Sequence, residues 1–88
     1  MSAAERTAVV ASPVGLHARP AALFARAAKA TGLPVTIALD GGDPVDAASV
    51  LSVLTLGAGH GQRVTLRAEG DGAEAALAGL VALLETTG

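Results

Sequence analysis

The spacing of apolar positions changes several times along the chain, and each change marks an element. From Arg6 through Thr7, Ala8, Val9 and Val10 to Ala11, β-branched residues and partial alternation predict a first strand with two unlike faces. Ser12-Pro13-Val14-Gly15 breaks it. The period then becomes helical, with Ala21, Phe24, Ala27 and Ala28 on one face and Arg19, Arg26 and Lys29 on another. A helix from about Ala18 to Thr31 follows, stopped by Gly32 and barred from continuing by Pro34. Leu23 falls between the basic positions and is expected to be under-buried.

Strict alternation returns in Val35-Thr36-Ile37-Ala38-Leu39, with Val35, Ile37 and Leu39 facing inward. Asp40-Gly41-Gly42-Asp43 reads as a hairpin turn. Pro44 confines Val45-Asp46-Ala47 to a short strand at a strand start or a sheet edge. Ser49 is a natural N-cap for a short helix over Val50–Thr55 that ends before Gly57, without the acidic partner of a capping box. Gly57-Ala58-Gly59-His60-Gly61 is expected to be a flexible loop. Arg63-Val64-Thr65-Leu66-Arg67-Ala68-Glu69 alternates again, with Val64, Leu66 and Ala68 inside. After Gly70-Asp71-Gly72, residues Ala73, Leu77, Leu80, Val81 and Leu84 fall at helical spacing, with Asp71 and Glu74 near the positive end of the dipole. Gly79 costs that helix about 1 kcal/mol against alanine.

The order is β-α-β-β-α-β-α. Strands that keep one face polar predict an α+β fold, with a four-stranded antiparallel sheet covered by three helices on one side. No linker or repeat interrupts residues 1–88, so one domain is expected. Phe24 is the only aromatic, which leaves the core to Val, Leu, Ile and Ala. A net charge of −2 gives no reason to expect nucleic acid or an anionic membrane as partner. The absence of cysteine removes disulfides and thiolate metal sites. Met1–Arg6 has no apolar leader character and no apolar run approaches a membrane span, so a cytoplasmic location is expected.

The candidate chemistry gathers at Val14-Gly15-Leu16-His17-Ala18-Arg19-Pro20, where a glycine loop hands over to a helix at a histidine. A helix start leaves about four N–H groups without intrahelical partners, and the peptide dipoles add partial positive charge. Such an end suits an anion. Pro20 is tolerated in a first turn, and Ala18 and Arg19 are the nearest backbone donors. The Arg19 guanidinium can hold a phosphate through two parallel hydrogen bonds. An imidazole nucleophile beside an oxyanion cradle is what a reversible phosphoryl acceptor needs.

Gly15-Leu16-His17-Ala18-Arg19-Pro20 and the helix after it resemble the active-site signature of the histidine-containing phosphocarrier family, HPr, of the bacterial phosphoenolpyruvate-dependent sugar phosphotransferase system. Asp46-Ala47-Ala48-Ser49-Val50-Leu51-Ser52 through Gly57 resembles the family's serine-site region. The Ala, Gly and Arg bias with a single lysine is similar to that of actinobacterial relatives. The resemblance implies an open-faced β-sandwich and a stoichiometric carrier, not an enzyme with its own substrate pocket. His17 would accept a phosphoryl group on Nδ1 (the pros nitrogen) from phosphorylated enzyme I and pass it to IIA components of sugar permeases, with no cofactor. Arg19 would clamp the phosphate.

Other residues carry plainer alternatives. Ser49 is either a cap or the family's regulatory site, where an HPr kinase would place a dianion among partner-facing residues. Val50, Leu51, Leu54 and Leu23 are either core or the family's apolar docking patch. Arg26 and Lys29 are either solvated charge or a basic rim that steers acidic partners. His60 lies off the motif, and no metal site is expected from two separated histidines. Asp40, Asp43 and Asp46 lack the ligand spacing of a calcium loop. Val14 replaces a polar residue, often Asn, of many relatives, and Ser52 stands where some carry Lys. A fructose, dihydroxyacetone or nitrogen branch is an alternative pathway, although the short chain favours the general sugar role. A purely regulatory module working through Ser49 is the rival from another class, and the presence of His17 and Arg19 speaks against it.

Overall fold

The computed structural model describes residues 3–86. Its elements are β1 (Ala3–Val9), α1 (Ala18–Ala30), β2 (Val35–Leu39), β3 (Val45–Asp46), α2 (Val50–Leu56), β4 (Arg63–Glu69) and α3 (Ala73–Thr86). The four strands form one antiparallel sheet in the order β1-β4-β2-β3. This is the α+β open-faced sandwich that strand alternation predicts. Ala4, Ala8, Val64, Leu66, Ala68, Val35 and Ile37 point to the helices and are buried. On the other face Glu5, Arg67, Thr36 and Asp46 lie in register across all four strands, and that polar row leaves the face bare.

The core is aliphatic around one ring. Phe24 of α1 is 1% exposed and shares a cluster with Ile37, Val53, Leu66, Leu77 and Leu84. Each such side chain contributes about 1.5–3 kcal/mol by leaving water. On α1 the buried face is Ala21, Phe24, Ala25 and Ala28, while Ala27 is only partly covered. The stripe is thus turned slightly from the expected one, toward Ala25.

Strand β1 runs from Ala3 to Val9, not from Arg6 to Ala11. Two causes shift it. Its early alanines gain strand partners only because β4 reaches Glu69, opposite Ala3. At its far end the Val10 N–H donates to the Gln62 carbonyl and the Ala11 N–H to the Leu84 carbonyl, so the chain leaves the ladder. Arg6 lies on the helix-covered side of this edge strand and reaches out to Glu74 of α3 at 2.8 Å. The hairpin after β2 turns one residue earlier than expected. The Gly42 N–H donates to the Leu39 carbonyl at 2.8 Å, and pairing with β3 resumes only at Ile37 opposite Val45. The edge position of β3 agrees with Pro44 before it.

The loop at Gly57–Gly61, expected to be flexible, is tied down. The Gly61 N–H donates to the Val10 carbonyl, and the Gly59 N–H to Gln62 Oε1 at 2.6 Å. Buried Ala58 presents its carbonyl to the Leu16 N–H at 2.8 Å. The signal that was missed is Gln62, whose side chain closes the loop on itself. No described helix is long and apolar enough to cross a membrane.

Candidate functional site

The segment between β1 and α1 is held at both ends. The Gly15 N–H donates to the Ser12 carbonyl at 3.0 Å and closes a turn over Pro13 and Val14. Gly15 has φ +76°, and a Cβ there would sit 2.7 Å from the Ala58 carbonyl oxygen and 2.9 Å from Gly59 Cα. Both its conformation and its closeness to another backbone require glycine. Leu16 follows, 4% exposed, as the apolar anchor of the loop. An anchored Leu16 leaves His17, next in the chain, on the outside.

His17 is exposed and is the N-cap of α1, with φ −86° and ψ −168°. Its side chain makes no capping hydrogen bond. Its carbonyl accepts from the Ala21 N–H at 2.9 Å, so the helix is fully wound at that point. The N–H groups of Ala18 and Arg19 precede that first bond and donate to no other backbone group among the described residues. With no acidic residue in the first turn, the positive end of a 13-residue helix is uncompensated.

His17 and Arg19 line one open cleft of about 550 Å³, together with Ser12, Pro13, Val14, Pro20 and Leu23. Val14 is 68% exposed and adds only apolar surface. In the sequence Ser12 stands only as part of a strand breaker. It is 4% exposed, and its hydroxyl makes no hydrogen bond among the described residues. Leu16 and Ala58 were likewise missed as the fixtures of the histidine loop. The only sequence signal for them is an apolar residue placed between Gly15 and His17.

Of the remaining candidates only Leu23 belongs to the cleft lining. Val50, Leu51 and Leu54 project from α2, which packs on α1, and are solvent-facing, Leu51 most of all. Val53, from the same helix, enters the core. Leu23 is 43% exposed, as its place among basic positions predicts. Arg26 and Lys29 are exposed and form no ion pair among the described residues. Ser49 is half-buried, and its Oγ accepts from the Ser52 N–H at 3.2 Å. Asp46 Oδ1 accepts from the Ala48 N–H at 2.9 Å, a turn contact, and His60 is exposed in its loop. Among the described residues no three acidic, imidazole or thiol groups gather as a metal site.

The family model described as "PTS HPr component phosphorylation site" matches residues 4–86. The chain belongs to the HPr phosphocarrier family. A phosphocarrier protein HPr from Streptomyces coelicolor is 56% identical over 81 residues, covering 92% of this chain and 87% of the relative. One from Haloferax volcanii is 48% identical over 83 residues and covers 93% of each. The crystal structure of HPr from Bacillus anthracis superposes with a TM-score of 0.88 at 34% identity, covering 96% of this chain and 99% of that one. The HPr family thus accounts for the element order, the sheet and the helix-start loop together.

Proposed function

We propose that this chain is a single-domain phosphoryl carrier of the sugar phosphotransferase system, with His17 as the acceptor. The observation that carries the reading is the exposed imidazole at the uncapped start of α1, in one cleft with Arg19. In the step proposed, the lone pair of the neutral ring nitrogen attacks phosphorus. The bond from phosphorus to the donor atom of enzyme I breaks in line, and its electron pair stays on that atom. The other nitrogen of His17 keeps its proton. The resemblance assigns the attack to Nδ1.

The three equatorial oxygens then need donors more than they need covalent help. The Ala18 and Arg19 amides and the Arg19 guanidinium supply them. An open cleft suits a carrier, since the same phosphoryl group must be reached from outside twice, by enzyme I and then by a IIA component. Leu23, Val50, Leu51 and Leu54 offer apolar area for those partners, and Arg26 and Lys29 offer steering charge that raises association rates. The site asks for no cofactor, and the work fits the cytoplasm, where phosphoenolpyruvate is available. Ser49 is read as the cap of α2, because its hydroxyl oxygen accepts from the Ser52 N–H.

Incubation with phosphoenolpyruvate, magnesium and an enzyme I should yield an acid-labile adduct that disappears in His17→Ala. An acid-stable adduct, or one that survives His17→Ala, would overturn the assignment, because phosphoserine resists acid and phosphohistidine does not.

A further inference from the structure

We infer that the Ser12 hydroxyl is a ligand of the phosphoryl group carried beside α1, donating to one of its oxygens. The inference rests on the reading of His17 as the acceptor and adds a residue to it. Ser12 is the one buried polar residue among those described, at 4% exposure. Its carbonyl is used by the Gly15 N–H, but its hydroxyl has no partner in the described protein. No partnerless polar side-chain atom is wholly shut off from the surface, so this hydroxyl keeps a small open area. Ser12 is one of the residues that line the cleft with His17 and Arg19.

Packing gives no reason for a hydroxyl at this position. Its buried neighbours in the chain are Val10 and Leu16, and alanine would fill the same space without an unused polar atom. A hydroxyl set this deep reaches few waters, and leaving it without a protein partner carries a desolvation cost. A phosphoryl oxygen placed over the α1 amides removes that cost. Of the side chains that line the cleft, only Ser12, His17 and Arg19 carry hydrogen-bonding atoms. Ser12 is therefore the neutral donor that complements the Arg19 charge, and the Ser12–Gly15 turn ties its position to the histidine loop.

The test is Ser12→Ala, read three ways. Thermal unfolding should stay level or rise slightly, because the substitution removes an unpartnered group and leaves no hole. The equilibrium distribution of phosphoryl between enzyme I and the chain should move about three- to tenfold away from the chain, with a displaced 31P resonance of the adduct. Inorganic phosphate, titrated against the Ala18 and Arg19 amide signals of the unmodified protein, should bind about three- to tenfold more weakly. An unchanged distribution, 31P shift and phosphate affinity would overturn the inference, as would a lowered melting temperature with those three readouts intact. If the native chain takes no phosphoryl group at all, the carrier reading fails by itself, and the phosphate titration still decides for or against Ser12.

Discussion

Helices α1 and α2 both begin from extended backbone at a side chain able to hydrogen-bond, yet they use their first amides differently. At α2 the Ser49 hydroxyl turns back onto the Ser52 N–H, and the helix end is closed. At α1 the His17 side chain makes no capping bond, and the Ala18 and Arg19 amides beside the open cleft have no backbone acceptor among the described residues. A cap stabilises a helix by about 1 kcal/mol. Leaving α1 uncapped forgoes that gain and keeps donors free for a visiting anion. Ser49 caps its helix through what it touches, and the His17 side chain is left without such a contact.

Substitutions can break this contrast, and the largest effect falls at its centre. His17→Ala should abolish phosphoryl transfer from enzyme I while leaving the melting temperature within a few degrees, since the exposed ring makes no capping bond. Arg19→Ala should slow transfer by about ten- to a hundredfold without loss of stability, measured by stopped flow with enzyme I. Unchanged rates would remove Arg19 from the clamp. Gly15→Ala should cost about 2 kcal/mol, or about 10 °C in melting temperature, because both the positive φ and the Ala58 carbonyl oppose a methyl group. It should also slow transfer while His17 remains present, because the loop that aims the ring is displaced. The smallest effect is expected at the closed helix end. Ser49→Ala should lose about 1 kcal/mol in denaturant unfolding and keep its transfer rate. Ser49→Asp should retain the cap and the stability, yet weaken docking, if the exposed leucines of α2 meet the partners.

Much of this was legible in the sequence because local patterns and tertiary structure agree. Alternation at Val35–Leu39 and Arg63–Glu69, and the Gly32 and Gly57 helix ends, lie where the periodicity places them. The His17–Arg19 pair was legible for another reason: a helix start, a proline and a histidine define the site within one turn of chain. What escaped depends on residues far apart in sequence. The early alanines of β1 have little strand preference of their own and are held by β4. The Gly57–Gly61 loop looks loose until its bonds to Val10, Leu16 and Gln62 are present. Ser12 reads as an ordinary strand-breaking serine, and only burial separates an idle hydroxyl from a solvated one.

In the proposed carrier the open amides of α1 receive the phosphoryl group. Comparing 15N–1H spectra before and after phosphorylation by enzyme I and phosphoenolpyruvate tests it most directly. Large downfield movements of the Ala18 and Arg19 amide protons are expected, with the Ser52 amide at the closed start of α2 nearly unmoved. An adduct that leaves Ala18 and Arg19 in place, or whose shifts centre on α2, would contradict it.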